Sequence, residues 1–370
     1  MWSWRSCCWA GEVVPAVVEL FAGGGGASLG LRRAGWTSLA AVEQDGAAAM
    51  TLAAAGFPVL HADVRAVDFA PFAGRTALLW ASPPCQSGSV AGRRRGPADP
   101  RDGWPWTFEV IDVVRPTWFL AENVVGWTRH VRGCELDQAD TCAGCAWEQA
   151  ILPATRARFA FAGVWHLDAA DFGVPQHRRR VILWAGPLPV TAPAPSHGDP
   201  DDEDTENRGL LPWVSLRAAV GDTLLDPATC EIRACYPCDG SHGRACAEPW
   251  RADRPAPTVT TTEVKGTRAH APEWSFHGGP DRASDAAFLV AGVRRIEVAE
   301  GLRLQGFPDG WPLQGTREEQ YRQVGNAVPP RLAEVCARAV LAADRVLGAL
   351  QSQGVNLDEL AGALRRRMAA

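Results

Sequence analysis

The sequence predicts an α/β protein with a doubly wound, mostly parallel sheet and a second, small irregular domain. Short apolar runs typical of buried strands alternate with helical patterns between residues 17 and 186. A glycine-rich turn, "GGGG" (23–26), follows the first run. Strands that alternate with helices form parallel sheets covered by helices, and a glycine-rich turn at a strand end lets a ligand approach the backbone.

Each strand is predicted from its apolar run, and each helix from its spacing of apolar residues and its stop signal. The predicted strands include "VVELF" (17–21), "SLAAVE" (38–43), "TALLWA" (76–81), "TWFLAE" (117–122) and "RVILWAG" (180–186). The predicted helices between them include "ASLGLRRAGW", which stops at Gly35, "DGAAAMTLAAAG" and "WTFEVIDVVR".

The alternation ends near residue 187, and the chain is predicted to divide into three parts. Residues 1–190 form the sheet domain. Residues 191–310 form a small irregular domain that begins with an acidic, proline-rich linker, and residues 311–370 are helices that return to the sheet domain. The last helix follows Asn356, and Glu359 three residues later resembles a capping box.

The composition favours a soluble protein of the cytoplasm. The chain has 370 residues, of which 46% are hydrophobic, yet no apolar run reaches the roughly 18 residues that a membrane span needs. A net charge of −5 argues against a generally basic nucleic-acid binder, although arginine triplets at 93–95, 178–180 and 365–367 leave room for a local basic face. The 11 cysteines are an odd number, and we do not expect disulfides in a reducing compartment.

The glycine-rich turn indicates a nucleotide-like cofactor, but not a standard dinucleotide. The fingerprint G-x-G-x-x-G fails, because its last position falls on Ser28 or Leu29. Glu43 ends the second predicted strand, where an acid would bind ribose hydroxyls, and Asp63 follows the next apolar patch. The alternative is a tight turn with two surface acids.

Cys85 is a candidate nucleophile, because it follows Pro83 and Pro84 at the end of a predicted strand, where α/β sites lie. The alternative is a buried structural cysteine. Glu122 ends another strand and is either a proton donor or a capping or surface acid. Arg178 and Arg180 alternate and therefore share one face of an incoming strand, unless that edge is merely solvated.

The motifs "ELFAGGGGASLGL", "SPPCQS", "FLAENVVG", "DFGVPQHRRRVILWAG", "EGLRLQGFPDGW" and "YRQVGNAVPP" stand in the order typical of the DNA cytosine-5 methyltransferase family. The chain strongly resembles that family over about residues 15–190 and 290–345. The resemblance implies a Rossmann-like fold that binds S-adenosylmethionine. It also implies transfer of a methyl group to C5 of a flipped-out cytosine in double-stranded DNA.

The resemblance assigns roles to residues. Cys85 would add to C6 of the base, Glu122 would hold N3 and the exocyclic amine, Arg180 would meet O2, and Arg178 would support the site. The cofactor pocket would be formed by Phe21, Gly23, Gly25, Glu43, Asp63, Pro83, Asn326 and Val328. The residues expected to contact the DNA substrate are Gln86, Ser89, Arg93 and Gln176. Residues 191–310 would recognise the target sequence.

The chain departs from the family at Gly88, where an aromatic residue is common, so the loop after Cys85 is expected to be more mobile. A transfer-RNA methyltransferase of the same superfamily is a less favoured alternative, since its Cys-Phe-Thr signature is absent. A non-catalytic DNA-binding relative would not need Cys85. We expect a monomer near the nucleoid, with no membrane association and with a restriction endonuclease as a candidate partner.

The cysteines also suggest a metal. Two C-x-x-C pairs, Cys142 with Cys145 and Cys235 with Cys238, could form a four-thiolate zinc site, with Cys134, Cys230 and Cys246 as reserve ligands. Such a zinc would join the two domains and take no part in the chemistry. The alternative is a set of reduced, partly buried thiols.

Overall fold

The computed structural model describes residues 15–84, 102–130, 134, 142–221, 253–256, 258–261, 275–276 and 297–369. A seven-stranded sheet forms the centre of this part of the chain. Its strands are β1 (Ala16–Leu20), β2 (Thr37–Glu43), β3 (Val59–His61), β4 (Leu78–Ala81), β5 (Trp118–Val124), β6 (Phe161–Asp168) and β7 (Arg179–Gly186).

The strand order is β3-β2-β1-β4-β5-β7-β6. Neighbouring strands from β3 to β5 pair in parallel, whereas β7 runs antiparallel to both β5 and β6. The prediction of a doubly wound, mostly parallel sheet is therefore confirmed. The order reverses between β1 and β4, and such a reversal opens a crevice at the carboxyl ends of the strands.

Both faces of the central strands are buried, which explains why their sequences are apolar without alternation. Val17 and Trp80 pack in one buried cluster with Leu332 of the C-terminal region. Val18 and Leu79 face the opposite cluster, which contains tryptophans from segments after β4 and β5.

The helices cover both faces of the sheet. They are α1 (Gly26–Ala34), α2 (Gly46–Ala54), α3 (Trp104–Val114), α4 (Ala143–Ala146), α5 (Leu152–Arg156), α6 (Glu203–Asn207), α7 (Leu216–Val220), α8 (Val298–Leu304), α9 (Arg317–Asn326), α10 (Pro330–Ser352) and α11 (Leu357–Ala369). A π-helical turn, Trp147–Ile151, joins α4 to α5. No helix among the described residues has the length and apolar character needed to cross a membrane.

Helix α10 and the residues just before it pack closely on α1, because two glycines of α1 have no side chain. A Cβ at Gly26 would lie 2.1 Å from the carbonyl oxygen of Val328, and one at Gly30 would lie 2.4 Å from that of Pro330. Helix α11 begins after Asn356, whose Oδ1 accepts from the backbone N–H groups of Asp358 and Glu359. The C-terminal helices thus lie against the sheet domain.

Much of the segment predicted as the small domain lies outside the described residues. At its start, β8 (His197–Gly198) pairs with β9 (Leu211–Pro212), and the acidic helix α6 lies between them. At its end, Leu302 and Phe307 share a buried cluster with Leu29 and Leu52 of the sheet domain. This end of the segment is therefore packed against α1 and α2.

Candidate active site

Four predicted site residues lie at the carboxyl ends of neighbouring strands. Phe21 follows β1, Glu43 ends β2, Pro83 follows β4, and Glu122 lies near the end of β5. Because these strands are parallel and adjacent, their ends meet at one edge of the sheet, beside the reversal in strand order.

The glycine-rich turn after β1 has a backbone conformation that few side chains tolerate. Gly23 and Gly25 have φ values of 57° and 90°, and Phe21 has φ 58° although it is not glycine. A positive φ at a bulky residue is strained and needs support from its surroundings. A Cβ at Gly23 would meet no atom of the described residues within 4 Å, so among these residues the backbone there is open to a ligand. Trp311 donates from Nε1 to the carbonyl of Gly24 and fixes the turn from behind.

Glu43 is held against this turn. Its Oε2 accepts from the backbone N–H of Gly23, and its Oε1 accepts from that of Asp45, each at 2.7 Å. Burial raises the pKa of the Glu43 carboxyl, while these two hydrogen bonds oppose the rise. The prediction that Glu43 ends the second strand is confirmed, and its role towards a ribose stays a prediction.

Asp63 lies just beyond β3 and is partly exposed. Its carboxylate accepts three hydrogen bonds from the guanidinium of Arg65, because Nε lies 2.9 Å from Oδ1 and 3.0 Å from Oδ2, and Nη2 lies 2.5 Å from Oδ2. These bonds hold the pKa of Asp63 below its ordinary value. A ligand amine at this position would therefore share the carboxylate with Arg65.

The segment that leads to Cys85 packs against the glycine turn. A Cβ at Gly103 would lie 2.8 Å from the ring of Phe21, 3.0 Å from Pro84 and 3.1 Å from Pro83. Asn123 donates from Nδ2 to the carbonyl oxygen of Pro83 and ties β5 to this segment. The strand before Cys85 is thus fixed on two sides. Cys85 itself, with Gln86, Ser89 and Arg93, lies outside the described residues.

Glu122 and Arg180 form a buried ion pair. Arg180 Nε lies 2.7 Å from Glu122 Oε1, and only 10% and 11% of the two side chains are exposed. The antiparallel direction of β7 explains the contact, because it brings the first residues of β7 to the edge where β5 ends. In the register, Arg180 lies opposite Val124 and Ile182 lies opposite Glu122.

Gln176 and Arg178 are buried too, but they bind backbone groups rather than face the crevice. Gln176 is 0% exposed; its Nε2 donates to the carbonyl of Leu304, and its Oε1 accepts from the N–H of Val259. Arg178 is 2% exposed and donates to the carbonyls of Val259 and Gly325, both at 2.7 Å. A DNA contact by Gln176 stays a prediction. The side-chain amide of Gln176 is buried and offers DNA no exposed donor.

The two C-terminal candidates differ in position. Asn326 is exposed at the end of α9. Val328 is buried, and its carbonyl lies directly against Gly26 at the start of α1. This contact places the segment after α9 beside the glycine-rich turn, as the resemblance implies for a cofactor pocket.

One cluster was only partly foreseen. Cys142 and Cys145, predicted as zinc ligands, lie beside His130 and Cys134. Cys235 and Cys238, their predicted partners, lie outside the described residues. The spacing H-x3-C of His130 and Cys134, just before the C-x-x-C pair, could have indicated His130 as a fourth ligand.

Comparison with known proteins identifies a family that this chain matches. Residues 16–188 and 250–342 match the family described as C-5 cytosine-specific DNA methylase. The type II methyltransferase M.NaeI of Lentzea aerocolonigenes is 30% identical over 92% of this chain and 78% of its own. M.NgoMIV of Neisseria gonorrhoeae is 29% identical over 88% and 97%. The S. pombe Dnmt2 methyltransferase has a similar fold, with a TM-score of 0.57 and 17% identity over 90% of this chain and 99% of its own.

Proposed function

This chain belongs to the C-5 cytosine-specific DNA methylase family, and we propose that its buried Glu122–Arg180 pair holds the cytosine that receives the methyl group. The chain is a DNA cytosine-5 methyltransferase. The observation that supports the site is the meeting of Glu122, Arg180 and the segment before Cys85 at one edge of the sheet, beside the glycine-rich turn.

Glu122 is suited to bind the edge of a cytosine. Its Oε1 is bound by Arg180 Nε, and its second oxygen is available for N3 and the exocyclic amine of the base. Arg180 also donates from Nη1 to the carbonyl of Arg179, which leaves Nη2 to reach O2 of the base. A charge-assisted contact of this kind fixes the orientation of both side chains before the base enters.

Cys85 would start the reaction. Its thiolate adds to C6 of the flipped cytosine while Glu122 holds a proton at N3, so that C5 becomes electron-rich. Once C5 carries the new methyl group, loss of the C5 proton restores the double bond, and the bond between C6 and sulfur breaks to release the thiolate. Each bond made to Cys85 is thus broken within one cycle.

The glycine turn fits S-adenosylmethionine, which supplies an electrophilic methyl group when bound. The open space at Gly23 allows contact with the backbone, and Glu43 is fixed where ribose hydroxyls would lie. Phe21 and Pro83 would contact the same cofactor, together with Gly25, Asp63, Asn326 and Val328. Because Oε1 and Oε2 of Glu43 each accept one backbone N–H, each retains acceptor capacity for a hydroxyl.

Gln176 and Arg178 are proposed as positioning residues. They bind the backbone of Val259 and Leu304, which lie within the predicted recognition domain of residues 191–310, and the backbone of Gly325 in the segment after it. The relatives named type II methyltransferases support a cognate restriction endonuclease as partner. The enzyme would act on cytoplasmic double-stranded DNA as a monomer, with contacts from Gln86, Ser89 and Arg93.

A substitution at Cys85 tests the assignment. We expect Cys85→Ser to abolish transfer of tritiated methyl groups to DNA while calorimetry still detects binding of S-adenosylmethionine. The control is Cys336→Ala, which removes a buried thiol from α10 and should retain transfer. Bisulfite sequencing of DNA from expressing cells identifies the target on which both are compared. Substantial transfer by Cys85→Ser would refute the role of the thiolate.

A further inference from the structure

Four side chains that can bind a metal converge in the segment that follows β5. The ligand atoms of His130, Cys134, Cys142 and Cys145 all lie within 4.8 Å of one another. Cys142 and Cys145 are buried, and His130 and Cys134 are half-buried. We propose that these four residues bind one structural Zn²⁺ ion.

The distances suit one tetrahedral ion. The Sγ atoms of Cys142 and Cys145 lie 3.7 and 3.4 Å from His130 Nδ1. With zinc bonds of about 2.3 Å to sulfur and 2.0 Å to nitrogen, a tetrahedron has edges of roughly 3.5–3.8 Å. The Sγ atoms of Cys134 and Cys145 are 3.1 Å apart, which is shorter than such an edge but far longer than the roughly 2.05 Å of a disulfide.

The type of ligand favours zinc and a structural role. Three thiolates and one imidazole form a closed set that leaves no position for water or substrate. Soft sulfur ligands disfavour magnesium and calcium. Because this set fills a tetrahedron, it also leaves no position for Cys235 or Cys238 at the same ion.

The surroundings of His130 support the proposal independently. Its Nδ1 faces the sulfur atoms, while its Nε2 lies 3.3 Å from Oε1 of Glu148. Metal-binding histidines commonly donate their second ring N–H to a carboxylate, which fixes the tautomer and the ring orientation. Glu148 therefore occupies the place of such a supporting group.

The ion would hold the segment that follows Glu122 against the start of α4. His130 comes shortly after the 3₁₀ turn Val125–Thr128, which continues β5, and Cys142 lies at the start of α4. A Cβ at Gly144 would lie 2.6 Å from the backbone nitrogen of His130, so the two segments already touch. Next to them, Trp127 and Trp147 pack against Trp104 with ring centres 6.1 and 5.8 Å apart.

The test is the metal content of the full-length protein as purified without added metal, measured by mass spectrometry. We expect the unmodified chain to carry about one equivalent of zinc at this site. His130→Ala, Cys134→Ser, Cys142→Ser and Cys145→Ser should each remove it. His130→Cys should retain it, because four thiolates also form a closed tetrahedral site. Cys235→Ser and Cys238→Ser are the matched controls and should leave this equivalent in place.

A second measurement does not depend on whether the variants fold. Unmodified protein in which Co²⁺ replaces zinc should show the visible absorption of tetrahedral, thiolate-bound Co²⁺. A mercurial that blocks thiols should release zinc from the unmodified protein, detected with a chelator that changes colour when it binds zinc. A third measurement does use a variant: Glu148→Ala should weaken zinc binding by about 10-fold in competition with a chelator. The control Glu109→Ala removes an exposed carboxylate from α3 and should have no effect.

Three results would overturn the proposal. The first is zinc content unchanged in His130→Ala and Cys134→Ser but lost in Cys235→Ser or Cys238→Ser. The second is a disulfide between Cys134 and Cys145 in the isolated protein, found by alkylation and mass spectrometry. The third is a full equivalent of a metal other than zinc, or no metal at all.

Discussion

Removal of Arg180 should destabilise the protein strongly, because it would leave Glu122 as a buried charge without its partner. In the substitution Arg180→Met the side chain keeps much of its length but loses the guanidinium. Glu122 is only 11% exposed and lies 2.7 Å from Arg180 Nε. Breaking a buried pair by removing one partner costs about 3–5 kcal/mol, and each 1.4 kcal/mol changes the ratio of folded to unfolded protein about tenfold.

The neighbouring arginine provides a matched control. Arg179 has 77% of its side chain exposed and lies 3.5 Å from Asp168, which is itself only 11% exposed. Asp168 would keep His177 and the backbone N–H of Arg178 as partners, and an ion pair with a solvent-exposed arginine contributes about 0–1 kcal/mol, so Arg179→Met should change the free energy of unfolding by less than about 1 kcal/mol. The two variants make the same chemical change one residue apart and differ only in burial and partner.

The assay is equilibrium unfolding in urea, followed by the fluorescence of the 16 tryptophans. A double-mutant cycle with Glu122→Gln separates the energy of the ion pair from the energy lost in packing. Arg180→Met leaves the charge of Glu122 buried without a partner, and Glu122→Gln removes that charge. The double variant should therefore be more stable than Arg180→Met alone. The reasoning is wrong if Arg180→Met costs no more than Arg179→Met, or if the cycle shows no coupling.

Two further substitutions test the packing around the glycine turn. Burial raises the pKa of Glu19 to about 8, against the opposing hydrogen bond from Ser28. The folded state therefore keeps a proton that the unfolded state loses, and stability falls as pH rises between the unfolded and folded pKa values, by on the order of 1 kcal/mol per pH unit. Glu19→Gln should reduce the dependence of the urea midpoint on pH between pH 5.5 and 7.5, whereas Glu109→Gln should not. Parallel pH profiles for Glu19→Gln and the unmodified chain would contradict this. Gly26→Ala should lower the free energy of unfolding by about 1–3 kcal/mol, because its Cβ would meet the backbone oxygen of Val328. Gly46→Ala, whose Cβ would have its nearest contact 3.7 Å away, should be close to neutral, and equal midpoints for the two would exclude the close approach.

The strands could be predicted because their signals are local. The runs "SLAAVE" and "RVILWAG" are bounded by turn residues, and β2 and β7 begin one residue earlier than predicted and end as predicted. The position of Glu43 at the end of β2 could be predicted because Glu43 is the last residue of the run "SLAAVE". The family was predicted from its motifs and is confirmed.

The contacts between distant segments could not be predicted from spacing. A solvated edge was the alternative for Arg178 and Arg180, yet both are buried, because β7 reverses direction and inserts between β5 and β6. His130 was missed because the choice among metal partners depends on how the segment after β5 folds back on α4. Residues around Cys85 and most of the predicted recognition domain lie outside the described residues, and their roles stay predictions.

Alternate residues of the segment from Gln176 to Arg180 contact the predicted recognition domain and the proposed base site. Gln176 and Arg178 bind the backbone of Val259, while Arg180 binds Glu122. Truncating Gln176 or Arg178 would leave buried backbone groups without partners, at about 1–3 kcal/mol for each group. Val259 and Leu304 belong to the predicted recognition domain, residues 191–310, and Gly325 belongs to the segment that follows it. The same short strand entry thus positions the arginine that is proposed to bind the base and also contacts the predicted recognition domain.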